Sequence, residues 1–340
     1  MKKKALITGI SGQDGYFLTK LLLEKDYEVH GLLRRNSRND IGNLNDLNDA
    51  DKALLILHWG DIIDHTYVEK LIRTYQYDEV YHLAAQSFVG LSFTNPRATY
   101  DINISGTLNV INAIKEFSPH TKLYFAATSE LYGKVHEVPQ NEETPFHPRS
   151  PYGVSKLAGF WTIKNYRESY NLFMSNGILF NHESEMRGPE FVTRKISIGI
   201  SKIKNGSAEC IELGNLDAKR DWGYAKDYVL GMWQIMQYEK ADDFVLAMGK
   251  NHSIREFVEL GFEVIGKEIV WEGEGVNEIG KDKISGEVLV KVNPEFFRPA
   301  EVDELLGDAT KAKEKLNWQP QTSFSELVEI MVKHDLEKNK

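Results

Sequence analysis

Short apolar runs alternate with segments of helical spacing over residues 1–180, and this alternation is the strongest constraint on the fold. In the segments 15–25 and 106–117, apolar residues recur three and four positions apart, as in amphipathic helices. Apolar runs separated by such helices are typical of a parallel sheet with crossover connections. The predicted strands are 4–10, 27–33, 54–59, 79–85, 122–127 and 173–180. We therefore predict an α/β fold with a doubly wound parallel sheet of the Rossmann type.

Beyond residue 180 the pattern becomes less regular, with more glycine, asparagine and charge and with shorter strand candidates at 210–213, 244–248 and 269–271. We interpret 1–180 as a dinucleotide-binding domain and 181–335 mainly as a smaller C-terminal α/β substrate lobe. The segment 227–236 again has helical spacing. We expect parts of 215–250 to pack back on the first domain.

The net charge of −9 argues against nonspecific nucleic-acid binding, which requires clustered basic residues on one face. The single cysteine, Cys210, cannot form an intramolecular disulfide. No apolar run approaches the roughly 20 residues that span a bilayer. We expect a cytoplasmic protein that binds neither nucleic acid nor membranes, and we predict no metal site.

A glycine-rich turn lies between the first predicted strand and the first predicted helix. In this position glycines let the backbone approach a pyrophosphate at the N-terminus of a helix. A glycine triplet alone is a weak signal, but a strand before it and a helix after it favour a dinucleotide site over a merely tight turn. The predicted contacts in the turn are Gly9, Ser11, Gly12, Gln13, Asp14 and Gly15.

The second predicted strand ends at Arg34 and Arg35, about 20 residues past the turn. NAD-binding chains usually carry an acid there and NADP-binding chains carry arginine, so the pair favours NADP. The alternative is that one or both arginines are surface charges or subunit contacts. Further cofactor contacts are predicted where the third and fourth strands end, at Asp61, Ile62, Leu83, Ala85, Gln86 and Ser87.

Tyr152 and Lys156 are four residues apart, on one face of a helix whose start is marked by Ser150 and Pro151. A free tyrosine has a pKa of about 10, and a nearby ammonium favours the phenolate, which then acts as a base near neutral pH. The alternative is an ordinary exposed pair at helical spacing. The glycine turn upstream favours catalysis.

Thr128 and Glu130 follow the fifth predicted strand, at the sheet edge where ligands bind in this fold. Thr128 is placed to hydrogen-bond a substrate oxygen beside the phenolate. Glu130 supplies a carboxylate, which is what proton abstraction next to a carbonyl requires. From spacing alone, a surface acid at a strand end is the better interpretation of Glu130.

With these motifs the chain resembles the extended short-chain dehydrogenase/reductase family, and within it the GDP-mannose 4,6-dehydratases. The closer resemblance rests on the segments 7–15, 128–133, 179–184, 191–196 and 298–303, and it extends from residue 4 to about residue 318. The C-terminal motifs are far more specific than the glycine turn.

The resemblance implies a dehydration with no net redox change. Tyr152, tuned by Lys156, takes the 4-hydroxyl proton of the sugar while a hydride passes from C4 to NADP. Glu130 then removes the C5 proton, water leaves from C6, and the hydride returns to C6. Thr128 steadies the C4 oxygen, and the product is a 4-keto-6-deoxy sugar.

The resemblance also implies further ligand contacts and an assembly. Additional cofactor contacts would be Tyr100, His182 and Arg187, together with Tyr152 and Lys156. Substrate contacts would be Ser87, Glu130, Asn181, Val192, Lys195, Leu213, Gly214, Arg220, Arg298 and Glu301, whose cations suit a diphosphate. The segment 213–222 would be a substrate-side loop, although a plain turn with solvated charges is the better interpretation of Asn215 and Asp217 taken singly. The expected assembly is a homodimer or homotetramer.

Two segments depart from the family pattern. The loop 36–43, which in the family reaches the cofactor of a neighbouring subunit, contains less serine here. The segment 185–191 is less basic than its family counterpart, which leaves the sugar of the GDP-sugar substrate open. Rival functions are a nucleotide-sugar epimerase or a 4-keto-sugar reductase, which need no carboxylate at Glu130, and a non-catalytic NADP-sensing regulator, which has no need of Tyr152, Lys156 and Glu130 together.

Overall fold

The computed structural model describes residues 2–296 and 304–338, and a seven-stranded parallel sheet forms its centre. The strands are β1 (Lys4–Thr8), β2 (Glu28–Leu33), β3 (Ile56–Trp59), β4 (Glu79–His82), β5 (Lys122–Ala126), β6 (Met174–Leu179), β7 (Asn181–Glu183), β8 (Ile211–Leu213), β9 (Lys219–Tyr224), β10 (Asp243–Leu246), β11 (Asn251–Ser253), β12 (Ile269–Glu272), β13 (Ile279–Asp282), β14 (Val288–Val292) and β15 (Glu304–Leu305). The helices are α1 (Gln13–Glu24), α2 (Asp49–Ala53), α3 (His65–Tyr75), α4 (Val89–Thr94), α5 (Pro96–Tyr100), α6 (Gly106–Phe117), α7 (Pro151–Tyr170), α8 (Val192–Lys204), α9 (Ala225–Gln237), α10 (Ile254–Glu263), α11 (Thr310–Leu316) and α12 (Phe324–Lys338).

The central sheet has the order β10-β6-β5-β4-β1-β2-β3, and every pairing within it is parallel. Successive side chains of a strand point to opposite faces, so alternate residues enter different cores. Ala5 and Ile7 of β1 pack in a core with α1 and α9, whereas Leu6 packs in a second core with α3, α6 and α7. Strands buried on both faces are apolar at nearly every position, which is why the sequence revealed them. The predicted doubly wound fold is confirmed.

Helix α7, which carries Tyr152 and Lys156, begins where the sequence predicted. The hydroxyl of Ser150 accepts the N–H of Gly153 at 3.0 Å, and Pro151 occupies the first turn, where its missing N–H costs nothing. The helix ends at Asn171, which adopts the left-handed conformation with φ 53°. These two ends fix where Tyr152 and Lys156 lie along the helix.

The C-terminal part contributes to both halves of the molecule. Strand β10 pairs with β6 at the edge of the central sheet, and α9 packs on α1. The remaining strands form two smaller sheets, one with the order β11-β9-β15 and with β7 paired to β9, the other with the order β12-β13-β14-β8. Among the described residues, no helix is both long enough and apolar enough to cross a membrane.

The expected loop at 213–222 is wrong in its second half, because β9 begins at Lys219. Trp222 of this strand is buried and stacks on Phe324 with ring centroids 5.9 Å apart. Asp221 is buried as well, and its carboxylate accepts the backbone N–H groups of Met248 and Gly249 at 2.7 and 2.8 Å. Contacts with residues distant in sequence therefore stabilise this charged segment as a strand.

Candidate active site

A cleft of about 790 Å³ opens at the carboxyl ends of the central strands, and most of the predicted site residues line it. From the glycine turn to the substrate lobe, these are Gly9, Ser11, Gly12, Gln13, Asp14, Gly15, Arg34, Asp61, Ile62, Leu83, Ala85, Gln86, Ser87, Thr128, Glu130, Tyr152, Lys156, Asn181, His182 and Arg187. Arg35 lines an adjoining pocket of about 780 Å³ that shares Ser11, Arg34 and Asp61 with the cleft. Ligands of open α/β sheets bind at this edge.

The glycine turn is shaped by close backbone contacts. Gly9 has a positive φ of 73°, and a Cβ there would lie 2.9 Å from the backbone of Ala84. A Cβ on Gly15 would collide with the backbone of Ile10. A Cβ on Gly12, by contrast, would meet only the carbonyl oxygen of Gly9, at 3.4 Å. Gly9 and Gly15 are therefore required by packing, whereas Gly12 leaves open space at the N-terminus of α1, where a phosphate is favoured.

Arg34 and Arg35 are exposed at the end of β2, and neither forms an ion pair with a carboxylate of the described residues. Asn43, just beyond them, donates its backbone N–H to the carbonyl of Ser11 at 3.1 Å and its side-chain amide to the carbonyl of Met186 at 2.8 Å. The loop that contains Asn43 thus folds over the glycine turn of its own chain. Two available guanidinium groups beside a helix N-terminus fit a dinucleotide with a further phosphate on its ribose.

Gln13 and Asp14 connect the glycine turn to the start of the substrate lobe. The carboxylate of Asp14 pairs with Nε2 of His182 at 2.9 Å, and the Gln13 amide donates to the His182 carbonyl at 3.0 Å. The hydroxyl of Ser184 donates to Gln13 at 2.8 Å. Burial opposes both charges, but the pair outweighs it, so the pKa of Asp14 is lowered and that of His182 is raised. Because Nδ1 of His182 lies 2.8 Å from the Phe180 carbonyl, both ring nitrogens have protein partners, and its contact with the cofactor stays a prediction.

Tyr152 is buried in the cleft, and burial raises the pKa of its phenol to about 12. A hydrogen bond from Thr128 opposes that rise, the carboxylate of Glu130 adds to it, and the charge of Arg187 lowers the pKa. All three side chains therefore act on the phenol, although Arg187 is distant from it in sequence. The predicted neighbourhood of Thr128, Glu130 and Tyr152 is present in the structure.

Lys156 is also buried, and burial lowers the pKa of its ammonium to about 7. Its Nζ donates to the carbonyl of Ala126 at 2.7 Å and lies 4.8 Å from the centre of the Phe125 ring. The sequence predicted that Lys156 tunes Tyr152 directly. In the structure the Lys156 ammonium is bonded to a carbonyl of strand β5, and its effect on Tyr152 stays a prediction; the charge of Arg187 also lowers the phenol's pKa.

A buried polar network holds the loop after β4 against helix α7. Asn103 accepts the backbone N–H of Gln86 at 2.8 Å, returns a bond to the Gln86 carbonyl at 3.1 Å, and donates to the Ser155 hydroxyl at 2.9 Å. Asn103 lies in a π-helical turn, Asp101–Ser105, that interrupts the helix between α5 and α6. Such turns often occur at functional sites. This one aims a side chain at two walls of the cleft at once.

Several predicted ligand contacts lie away from the cleft. Tyr100 is half-buried at the end of α5, and Leu213 is buried in the core. The Nζ of Lys195 lies 3.5 Å from the centre of the Phe296 ring, and Gly214 lies against the Phe296 backbone. Outside the cleft lining are Tyr100, Val192, Lys195, Leu213, Gly214 and Arg220. Arg298 and Glu301 lie outside the described residues.

Among the cleft-lining residues that were not predicted from the sequence are Phe88, Glu190 and Phe191. Phe88 directly follows Ser87, and extending the post-strand segment by one residue would have included it. Glu190 and Phe191 come from the irregular start of the substrate lobe, which carries no periodic pattern. Their place in the cleft depends on how the two parts of the chain fold together.

Comparison with known proteins identifies the family. The model of the family described as GDP-mannose 4,6 dehydratase matches residues 6–331. The chain belongs to the GDP-mannose 4,6-dehydratase family. It is 53% identical to the human GDP-mannose 4,6 dehydratase over 339 residues, covering 98% of this chain and 91% of the relative. A GDP-mannose 4,6-dehydratase from Vibrio cholerae is 47% identical over 351 residues, covering 99% and 94%.

Solved structures show that the GDP-mannose 4,6-dehydratase family shares its fold with other sugar-nucleotide enzymes. A UDP-glucose 4-epimerase from Thermotoga maritima superposes with a TM-score of 0.82 at 24% identity, over 99% of this chain and 100% of that one. A dTDP-glucose 4,6-dehydratase from Streptomyces venezuelae, solved with NAD bound, gives 0.81 at 22% identity, over 98% and 97%. At these identities the structural similarity establishes the fold alone. The family is established by the relatives that are 47% and 53% identical.

Proposed function

We propose that this protein is a GDP-mannose 4,6-dehydratase, which converts GDP-mannose to GDP-4-keto-6-deoxymannose and water with NADP as its cofactor. The observation that carries the proposal is the convergence of Tyr152, Thr128 and Glu130 in one cleft with the glycine turn and Arg34. Relatives 46% to 53% identical over nearly the whole chain bear the same name. The phenol serves the oxidation at C4, and the carboxylate serves the elimination.

NADP bound here would accept a hydride from the sugar and return it, so no external reductant is consumed. The turn at Gly12 and the N-terminus of α1 would hold its pyrophosphate. Arg34 and Arg35 would hold the 2′-phosphate of its adenosine. Leu83, Gln86 and Ser87 would line its nicotinamide side. Lys156, which lines the same cleft, would add a further cofactor contact.

The side chains of the cleft divide the proton transfers between them. Tyr152 takes the proton of the 4-hydroxyl, and Thr128 stabilises the phenolate and the C4 oxygen. Once C4 is a ketone, the neighbouring C–H at C5 is acidified. Glu130 removes that proton and returns a proton to the departing C6 hydroxyl, which leaves as water. When C6 receives the hydride, C5 takes up the proton that Tyr152 holds, so the net change is the loss of water. Substrate contacts of Asn181, Lys195, Arg220, Arg298 and Glu301 are proposed on the family resemblance alone.

The activity is tested by incubating the purified, cofactor-loaded protein with GDP-mannose and no added reductant. Mass spectrometry should show a nucleotide sugar that has lost one water. A sugar of unchanged mass, with NADP bound to the protein, would exclude the dehydratase and favour an epimerase. A panel of other GDP-sugars determines whether the less basic segment 185–191 changes the accepted sugar.

The role of Glu130 is tested separately with Glu130→Gln. This variant should make no dehydrated product but should still exchange hydride at C4 of GDP-mannose labelled there with deuterium. Glu143→Gln, which changes an exposed carboxylate of similar charge, should behave as the wild type. Loss of both steps in Glu130→Gln would mean that Glu130 holds the site together and is not the base for C5.

We further propose a homodimer or homotetramer. Val154 and Trp161 are 42% and 52% exposed and lie seven residues apart, hence on one face of α7. Large exposed apolar side chains on one helix face are typical of an interface. Light scattering of Trp161→Glu against the wild type tests this, since burying a charge there should shift the protein toward monomer. A cytoplasmic location stays a prediction.

A further inference from the structure

Phe88 lines the cleft, and hydrogen bonds hold its backbone. The side-chain amide of Gln86 forms two hydrogen bonds with the backbone of Phe88. It accepts the Phe88 N–H at 2.7 Å and donates to the Phe88 carbonyl at 3.2 Å. Gln86 is fixed in turn by Asn103, which bonds to Ser155 on the catalytic helix. The position of Phe88 is therefore tied to the helix that carries Tyr152.

The Phe88 ring meets an aromatic side chain from the other wall of the cleft. Its centroid lies 5.9 Å from that of Phe191, with the ring planes at 73°, an edge-to-face arrangement. A Cβ on Gly90 would lie 3.2 Å from the end of the Phe88 ring, so a glycine at this position leaves room for it. Phe88 precedes α4 of the first domain, whereas Phe191 precedes α8 of the substrate lobe. The contact thus bridges the two parts of the chain.

Phe191 also supports the cation that acts on the catalytic phenol. The guanidinium of Arg187 lies 3.6 Å from the centre of the Phe191 ring, and its Nε lies 3.1 Å from Glu183. Cation–π stacking of this kind holds a guanidinium without neutralising it. One continuous set of contacts therefore runs from Ser155 through Asn103, Gln86, Phe88 and Phe191 to Arg187.

We propose that Phe88 and Phe191 form an aromatic clasp that keeps the keto sugar in the cleft between its oxidation at C4 and the loss of water. The proposal rests on the dehydratase function above and assigns both rings as positioning residues. The clasp matters because a ketone that escapes early leaves two hydrogens behind, one as a proton on the protein and one as a hydride on the cofactor. The hydride then remains on the cofactor, and that enzyme molecule can no longer begin a turnover.

The clasp is tested in single turnovers of the cofactor-loaded protein with GDP-mannose. Mass spectrometry separates the escaped ketone, which has lost two hydrogens, from the dehydrated product, which has lost water. Near-ultraviolet absorbance reports the reduced nicotinamide left on the protein. In Phe88→Ala and Phe191→Leu, the fraction of turnovers ending in escape should rise roughly 2- to 12-fold, the factor expected when an edge-to-face pair is lost.

Two controls accompany these variants. Phe88→Tyr retains the ring and should keep the wild-type ratio. Phe93→Ala removes a ring of equal exposure, 38% against 37% for Phe88, that does not line the cleft, and it should also keep that ratio. The clasp is refuted if Phe88→Ala and Phe191→Leu release no more ketone than the wild type, or if Phe93→Ala releases as much as they do. If the wild type itself forms no dehydrated product, the proposed function fails and not the clasp alone.

Discussion

Replacing Thr128 with valine removes the hydroxyl that acts on the Tyr152 phenol and nearly preserves the shape of the side chain. The bond from Thr128 opposes the burial that raises the pKa of Tyr152 to about 12. It favours the phenolate, because a hydroxyl donates more strongly to a charged oxygen than to a neutral one. Without it the pKa of Tyr152 rises further, and less phenolate is present at any given pH.

The size of the effect follows from the charge on the acceptor. A hydrogen bond to a charged group contributes about 1.5–3 kcal/mol, which corresponds to a pKa change of roughly one to two units. At neutral pH, Thr128→Val should therefore lower the rate of C4 oxidation by roughly 10- to 100-fold. The ascending limb of the pH profile, where the phenolate forms, should move to higher pH by the same one to two units, so the deficit shrinks as pH rises.

The measurement is the pH dependence of kcat/KM for hydride transfer from GDP-mannose, taken from neutral pH upward. Thr128→Ser retains the hydroxyl, including the bond it accepts from the Glu130 N–H at 3.2 Å, and should restore the wild-type profile. A Thr128→Val profile with the same midpoint as the wild type would refute the argument. So would an equal loss of rate in Thr128→Ser.

Three further predictions concern the fold, its acid sensitivity and the cofactor. Gly15→Ala should lower the melting temperature, because its Cβ meets the Ile10 backbone at a cost of about 1–3 kcal/mol. Gly12→Ala should have the wild-type melting temperature but bind NADP weakly. Equal melting temperatures for the two variants would contradict the packing argument. Burial lowers the pKa of His82 to about 3. The free energy of unfolding should therefore decrease as pH falls below the unfolded-state pKa of about 6.5, by up to ~1.4 kcal/mol per pH unit. In His82→Gln, the free energy of unfolding, measured by denaturant titration at several pH values, should depend less steeply on pH. Arg35→Ala should weaken NADP binding by roughly 10- to 100-fold in calorimetry while leaving NAD binding unchanged, and an equal loss for both would contradict a 2′-phosphate contact.

The central sheet and the glycine turn were predictable because their signals are local. A strand buried on both faces must be apolar along its length, and the turn needs its glycines within a few residues. Helix α7 was predictable for the same reason, since Ser150 and Pro151 mark its start. In these segments, residues close together in sequence are enough to predict the secondary structure.

The rest depends on partners that are distant in sequence. Strand β9 begins with Lys219, Arg220 and Asp221, which by composition favour a loop, and it is a strand because β11 and β15 pair with it. Likewise, the i,i+4 spacing of Tyr152 and Lys156 predicted an ammonium held near the phenol. The structure shows in addition that the lysine donates to a strand carbonyl and that Arg187, distant in sequence, also acts on the phenol. The spacing of residues on one helix could not show that a carbonyl of strand β5 would accept a hydrogen bond from the lysine.

The bonds between the glycine turn and residues 182–184 have a consequence for engineering the protein. If the chain were cut near residue 180, the carboxylate of Asp14 would lose His182 and Gln13 would lose both of its partners in the lobe. The excised nucleotide-binding half would then contain a buried charge without its counterion. A chimera with another sugar-nucleotide enzyme should therefore exchange Gln13 and Asp14 together with the transplanted lobe. A substrate lobe that is exchanged between such enzymes should therefore be accompanied by part of the glycine turn.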